Sequence, residues 1–519
     1  MDIDRRRLIG AGLAAPAILG FATRAAWAAA ETPFTLGVAS GEPWPDSVVL
    51  WTRLAPRPFE GDGGMGAAPV AVRWELAADA QFARIVRRGT AHAEAADGHS
   101  VHVEAFGLQP GRTYFYRFIA GGLVSPTGRT RTAPAPGATV DRLRICFSSC
   151  QNYEVGHYAA YRHIVAEDPD LILFLGDYIY EGAPGEGKLR RHVNPEPFDL
   201  AGYRVRYANY KSDPLLQAAH HAAPWAVTWD DHEVANDYAN ALDEKNGDPA
   251  TFLHRRAAAY QAYWEHMPLR RSAHPNGPAM HLYRTLDWGK LAQIQLVDDR
   301  QYRGPRACQP PELLANHEQY LKLIPDCPER IAADSTMLGA VQEKWLDDVL
   351  GRSAAKWNLL GQQTLMASLE RIDPLHPEGQ PSLYTADTWA TYPAARDRII
   401  RRWANARTHN PVALGGDIHA FAAGDMHHPD RPDHPPVASE LVGGSITSLF
   451  HDPSLKAEAK ACGLAFAENE VHGYARLDLT ADRCDIAFRG LADATRVDTS
   501  VSDLVRFAIE AGRPGLQTI

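Results

Sequence analysis

Six short apolar runs in this chain each end on side chains that bind cations or protons. Residues 144–147 lead into Ser148-Ser149-Cys150, and the wholly apolar Leu171–Leu175 leads into Gly176, Asp177 and Tyr180. Residues 226–229 lead into Asp230-Asp231-His232-Glu233, and residues 291–297 into Asp298-Asp299-Arg300. Residues 357–360 lead into Gly361-Gln362-Gln363, and residues 412–414 into Gly415-Gly416-Asp417 and His419. Such short, apolar runs have the composition of strands buried on both faces. Helical stretches such as residues 338–350 and 393–406 fall between them. The result is an α/β architecture over residues 140–490. In open α/β sheets, sites form at the carboxyl ends of strands. One strand-end Asp is ordinary turn chemistry, but six ends presenting acids, His, Cys or amides are not. Carboxylates crowded on one edge repel each other unless cations neutralise them. The pattern predicts a binuclear metal centre, and hard carboxylates mixed with Cys and His predict two unlike metals. Asp177 is the expected bridging carboxylate. Asp417 and His419, at i and i+2 on an extended stretch, are expected to face the site while Ile418 faces the core.

The rest of the chain is organised around this region. Asp4-Arg5-Arg6-Arg7 precedes an apolar stretch too short for a membrane span, and Ala26-Trp27-Ala28 supplies the small residues of a cleavage site. Residues 1–28 therefore read as a signal peptide, and the paired arginines resemble the twin-arginine export signal. The mature protein is expected to be soluble and either periplasmic or secreted. Residues 33–135 read as a small all-β sandwich. Tyr114 and Tyr116, after a Leu-x-Pro turn, resemble the end of a fibronectin III-like sandwich, where a tyrosine hydroxyl ties the strand to its preceding loop. A Pro/Gly/Ala-rich linker, residues 132–139, follows. In the tail, residues 491–519, the stretch 503–510 reads as a helix able to cover a pocket. The formal net charge of -10 argues against a protein that needs nucleic acid. Six cysteines in an exported chain suggest disulfides, with Cys308–Cys327 and Cys462–Cys484 as plausible local pairs.

Gly176-Asp177-x-x-Tyr180, Asp230-Asp231-His232-Glu233 and Gly416-Asp417-x-His419 resemble the signature blocks of calcineurin-like metallophosphoesterases. Phe147-Ser-Ser-Cys150-Gln151, Thr228-Trp-Asp-Asp-His-Glu-Val234 and Asp299-Arg-Gln-Tyr-Arg303 are similar, more closely, to the alkaline phosphatase D (PhoD) family. So are Glu440-Leu-Val-Gly-Gly-Ser-Ile-Thr-Ser448 and His472-Gly-Tyr474. The resemblance implies a four-layer αββα catalytic sandwich with ferric iron (Fe3+) and calcium (Ca2+). It implies iron on Cys150, Asp177, Tyr180 and His419, and calcium on Asp177 and Asp417. The remaining calcium ligand is either Asp231, where the wider superfamily has Asn, or the amide of Asn236. His232 matches the superfamily's catalytic His, which protonates the leaving group or steadies the phosphoryl oxygens. Arg300 is expected to bind a phosphoryl oxygen. Two cations about 3.5–4 Å apart would activate a metal-bound oxygen nucleophile. Trp389-Ala-Thr-Tyr-Pro393 departs from the family, which has Asp-Gly between Trp and Tyr.

Each residue has a plainer reading. Cys150 could be half of a disulfide, but its strand-end place beside Gln151 favours a ligand. Cys146, mid-strand, reads as core, and Asp230 as a supporting cap. Asp298 and Asp299 could be turn acids. His427-His428 sits in a Pro-rich loop and reads as solvated, and His220-His221 as surface. Ser445 lies outside any nucleophile-elbow pattern. These readings converge on a monomeric, exported hydrolase of small phosphate esters, served by the twin-arginine machinery. A phospholipase D-like phosphodiesterase acting on phospholipid is the alternative. A non-catalytic cell-surface binding protein is a third reading, and the intact ligand set argues against it.

Overall fold

The computed structural model describes residues 32–371, 382–406, 408–449 and 451–519; the expected signal peptide lies outside them. All six apolar runs are strands. Leu143–Ser148, Leu171–Leu175 and Trp225–Thr228 run parallel in the middle of a ten-stranded sheet. Ala292–Leu296, Trp357–Gly361, Pro411–Gly415 and Ala438–Gly443 run parallel in a seven-stranded sheet. The period of two in a strand divides the side chains between two cores. Ile145, Phe147, Leu171, Leu173 and Leu175 fill the space between the sheets, against Ile294, Leu359 and Leu414. Cys146, Ile172 and Phe174 face outward, against helices Ala159–Ala166, Leu200–Lys211, Pro214–Ala222 and Pro249–His266. Helices Gly339–Arg352 and Pro393–Ala406 cover the far face of the seven-stranded sheet with Leu346, Leu350, Ile399 and Trp403. The layers are therefore αββα. Asp213 and Asp248 start two of the helices by accepting backbone N–H groups, Leu215 N at 2.8 Å and Thr251 N at 2.8 Å.

The N-terminal region is all-β, and the Tyr114 hydroxyl accepts the Gln109 N–H at 2.9 Å, as its turn predicts. One of its sheets is not separate. Val38–Gly41, Ser47–Arg53 and Ser100–Phe106 form the end of the ten-stranded sheet, joined where Gly41 pairs in parallel with Trp225. A Cβ on Gly41 would lie 2.6 Å from the Pro268 carbonyl oxygen, so the junction needs glycine.

Four expectations are corrected. The tail is not a helix: Val501–Glu510 and Arg513–Thr518 are antiparallel strands turning at Gly512, whose φ is 84°. Val505, Phe507 and Ile509 alternate at period two, and their pairing with Arg483–Leu491 overrides the local helical character. Cys308 and Cys327 are bonded, but Cys462 and Cys484 are free, one exposed and one in the inter-sheet core. His220 is buried, stacked on Trp225 and bonded to the Tyr178 hydroxyl at 2.7 Å. His428 is buried too, its Nδ1 accepting the Asp430 N–H at 3.2 Å.

Lys211 is a stability liability with a defined pH range. Its ammonium is buried over the rings of Trp51 and Tyr178, at 4.2 and 5.3 Å, and burial pushes it down to about 7 from 10.5. The unfolded chain therefore binds the extra proton between these values. The penalty is complete below about pH 7 and fades as pH rises toward 10.5. Lys211→Met is expected to raise stability by roughly 2–4 kcal/mol at pH 6 and by little at pH 10, in denaturant unfolding at the two pH values.

Candidate metal centre

The carboxyl ends of both sheets meet at one edge. Gln363 Nε2 donates to Thr228 Oγ1 at 2.7 Å, and the Thr228 hydroxyl donates to the Val297 carbonyl at 3.0 Å, tying the strand ends together. Beyond them the chain turns sharply. Cys150, Asp177, Asp417 and His419 have φ of 59°, 58°, 61° and 51°, left-handed values that non-glycine residues rarely adopt. Such strain persists where surrounding structure over-determines it, and it clusters at functional sites. Gly176, at φ 105°, makes one turn possible, because a Cβ there would strike the Asp230 side chain. Asp417 and His419 thus reach the site through left-handed bends, not through strand alternation. Ile418, expected in the core, lines the pocket instead.

Two groups of ligand atoms result. In the first, Cys150, Asp177 and His419 offer atoms within 4.8 Å of one another. The Tyr180 hydroxyl lies among them, 2.8 Å from Asp177 Oδ2 and 2.8 Å from His419 Nε2, and it accepts from Ser448 Oγ at 2.7 Å. His419 Nδ1 faces the Leu449 carbonyl at 3.0 Å, which leaves Nε2 for the site. Burial pushes His419 down to about 4, keeping its imidazole in the neutral, ligating form. In the second, Asp231 stands with Asp177 and His232 on one side and with Asp230 and Asp417 on the other. Asp177 belongs to both groups, as its place after the most apolar strand predicts. Asn236 lines the same pocket as Asp231, with its N–H on Glu181 Oε1 at 2.7 Å.

The electrostatics call for cations. Burial raises Cys150, Tyr180 and Asp177, and neighbouring acids raise them further. Burial raises Asp417 to about 7. Asp231 is the exception: burial would raise it, but Arg300, His232 and the Asp237 amide together hold it below the usual carboxylate range. Asp177 Oδ1, Asp231 Oδ1 and Asp230 Oδ2 are buried without a hydrogen-bond donor. Buried acceptors left so are costly unless charge meets them. A thiol, a phenol and an imidazole beside four carboxylates suit one transition metal and one hard cation, so the residues present fit such a pair.

His232 is aimed by a residue that the sequence pattern did not single out. Glu181 Oε2 lies 2.7 Å from His232 Nδ1, and the imidazole packs on the Tyr180 ring, with centroids 4.0 Å apart. Burial opposes its charge, but Asp231, Glu181 and Asp177 outweigh that and hold it well above the usual histidine range. Glu233 knits two strand ends by accepting the N–H groups of Asp177, Tyr178 and Asp230 at 3.1, 2.5 and 2.8 Å. Glu233 sits inside a quoted block and Glu181 directly follows one, but the sequence carries no signal for the direction of either side chain.

Arg300 does something other than expected. It is fully buried, its Nε on Asp230, its Nη1 and Nη2 on Asp387 at 2.8 and 2.7 Å, and its Nη2 3.6 Å from Asp231. With these partners it supports the carboxylates, and it does not line the pocket over the centre. Asp298 is buried and is the turn acid expected, its Oδ1 accepting the Arg300 and Gln301 N–H groups at 3.0 and 2.9 Å; Asp299 is buried beside it, and Gln362 and Gln363 brace the edge, Gln362 accepting from Trp389 Nε1 at 2.9 Å. A pocket of about 280 Å³ opens over the centre. Asp231, His232, Asp417 and His419 line it, together with the apolar side chains of Leu365, Leu369, Ile418 and Leu455. Among the described residues, none beyond Leu455 lines it, so the tail is no lid.

Comparison with known proteins agrees with this geometry. A family model described as PhoD-like phosphatase matches residues 145–488, and one described as PhoD-like phosphatase, N-terminal domain, matches residues 20–134. Alkaline phosphatase D of Bacillus subtilis (strain 168) is 42% identical over 537 aligned residues, covering 99% of this chain and 89% of the relative. The solved structure described as PhoD superposes with a TM-score of 0.87 at 42% identity, over 94% of this chain and 92% of that one. With both regions matched and the strand-end site in place, the chain belongs to the PhoD-like phosphatase family.

Proposed function

We propose that this phosphoric ester hydrolase is an exported enzyme that cleaves phosphate monoesters, diesters or both with ferric iron and calcium at the strand-end centre. The observation that carries the reading is the set of buried carboxylate oxygens without a hydrogen-bond donor on Asp177, Asp230 and Asp231, beside a pocket lined by Asp231 and His232. Cys150, Asp177, Tyr180 and His419 are the iron ligands. Asp177, Asp417 and Asp231 are the calcium ligands, with Asn236 beside them as the alternative to Asp231. When bound, the two cations supply charge neutralisation at the phosphoryl group and an activated oxygen nucleophile.

The chain's own residues do the rest. Glu181 holds the Nδ1 proton of His232, so Nε2 presents the acidic proton to the leaving oxygen. Arg300 keeps Asp231 ionised. The apolar wall of Leu365, Leu369, Ile418 and Leu455 excludes water beside the leaving group. That wall is also the feature favouring a phospholipase D-like diesterase as the second reading. Export by the twin-arginine route and action as a monomer complete the proposal. Sizing chromatography and the mature N-terminus of protein recovered outside the cytoplasm test them.

The deciding experiment is hydrolysis of p-nitrophenyl phosphate beside bis-p-nitrophenyl phosphate at alkaline pH, with calcium and after chelation. Calcium-dependent turnover is expected, and the ratio of rates separates phosphatase from diesterase. No turnover by folded, metal-loaded protein overturns the reading. Active protein that is colourless and carries zinc or manganese overturns the Tyr180–iron assignment. His232→Asn is expected to lower kcat for an alkyl phosphate by about 10²–10⁴. It should lower kcat far less for the p-nitrophenyl ester, whose leaving oxygen needs no proton. Equal losses on both esters would remove His232 from the acid role.

A further inference from the structure

The segment from Gly304 to Leu338 is long for a connection in a compact domain, holding only the short helix Pro311–Ala315 and the strand Leu323–Ile324. Its Tyr320 and Ile324 share a small core with Tyr384 and Ala390 from beyond the segment, and the Cys308–Cys327 bond closes the loop. Its inner side reaches the metal centre by a short path. The Tyr320 hydroxyl donates to Asp237 Oδ2 at 2.7 Å, and Lys322 Nζ lies 3.2 Å from the same oxygen. Lys322 is also 2.8 Å from Glu244 Oε1. The Arg306 guanidinium stacks on the Tyr320 ring at 4.2 Å and donates to the Asp237 carbonyl at 2.6 Å. Asp237 is thus gripped at its side chain and its backbone, and it has a left-handed φ of 51°. Its N–H, turned inward by that conformation, donates to Asp231 Oδ2 at 2.5 Å.

We propose that the disulfide-closed loop is a clamp for the metal centre: Tyr320 and Lys322 hold Asp237 in its strained conformation, so that its N–H fixes the Asp231 carboxylate for the hard cation. Asp231 has two oxygens. With Oδ2 engaged by Asp237, Oδ1 is the atom left without a hydrogen-bond donor, with the Arg300 Nη2 3.6 Å away as its nearest counter-charge. Removing the grip lets Asp237 relax to an ordinary backbone conformation and withdraws the N–H, and Asp231 can then rotate away. Tyr320 and Lys322 are positioning residues in this scheme, as is the disulfide. The clamp rests on Asp231 being a ligand of the hard cation, as proposed above.

The test is calcium binding itself, measured by calorimetric titration of full-length enzyme depleted of calcium with a mild chelator. Partners that orient metal ligands typically contribute about 10–100-fold in affinity. Tyr320→Phe and Lys322→Met are each expected to weaken calcium binding by about 10-fold, with unchanged unfolding temperature and unchanged iron content. Cys308→Ser with Cys327→Ser is expected to weaken it similarly. Tyr114→Phe, which removes a buried hydroxyl in the distant β-domain, should leave it unaltered. If calcium affinity in Tyr320→Phe and Lys322→Met equals that of the parent while Asp231→Asn weakens it, the clamp is wrong and the ligand assignment stands. If Asp231→Asn has no effect either, the assignment itself fails. An equal loss in Tyr114→Phe would mean that the effect is general destabilisation, and it too would overturn the clamp.

Discussion

Asp177→Asn is expected to lower kcat/KM by on the order of 10⁴-fold, about 5.5 kcal/mol at 1.36 kcal/mol per decade. Asp177 is the carboxylate common to both ligand groups, so in the proposed centre its loss would affect both cations. The same substitution should stabilise the metal-free protein. Burial and the neighbouring acids raise Asp177 and Asp230, and burial raises Asp417 to about 7. A raised carboxyl favours folding below its unfolded value and loses that contribution as pH climbs through its folded value. For Asp417 the interval runs from 3.8 to about 7. Chelated parent protein should therefore lose stability as pH rises across this interval, and added metal should restore it. Chelated Asp177→Asn at pH 8 should be more stable than chelated parent by roughly 2 kcal/mol, because one buried anion is gone. Thermal unfolding with and without chelator at pH 5 and pH 8, alongside metal content and turnover, checks each part. Retention of activity within tenfold of the parent would remove Asp177 from the bridging place.

Arg300→Met is expected to destabilise the protein by about 3–5 kcal/mol, the usual consequence of breaking a buried ion network on one side. The guanidinium is wholly enclosed and serves Asp230, Asp231 and Asp387 together, so its removal takes a counter-charge from all three. Asp387 keeps Arg303, and among the described residues Asp230 keeps no other ion-pair partner. The loss should therefore shrink in an Asp230→Asn background, and the double-mutant cycle measures the coupling. Arg300→Lys should not rescue it, since a single ammonium cannot span carboxylates on three sides. A substrate-gripping arginine predicts a different result: a raised KM with unchanged stability. Denaturant unfolding and steady-state kinetics on the same variant separate the two roles.

Much of this site is legible in the chain because buried parallel strands are uniformly apolar and stop where polar chemistry begins. Leu171–Leu175 followed by Gly176-Asp177 shows both the strand and its working end without coordinates. Cys150, Asp177, Tyr180, Asp231, Asp417 and His419 follow from the same reading, and the structure brings them to one edge. Fold class follows too, since strands and helices alternate along the chain. The tail misleads because a stretch such as 503–510 satisfies both a helical and a strand pattern locally. The available partner at Arg483–Leu491 decides between them, and that partner is a non-local fact.

The contacts that tune the site are of this second kind. Arg300 lies next to two acids in sequence and looks like a free cation at a strand end. Only folding surrounds it with Asp230 and Asp387, distant in the chain, and turns it from a ligand grip into a counter-charge. Glu181 reaches His232 across 51 residues, and Tyr320 reaches Asp237 across 83. The convergence of Asp417 and His419 depends on left-handed backbone that no alternation rule anticipates. The sequence by itself determined the strands, their working ends and the ligand types, because burial and valence act on residues one at a time. Tertiary structure alone decided which charges meet, because electrostatic and hydrogen-bond partners are chosen by distance in space.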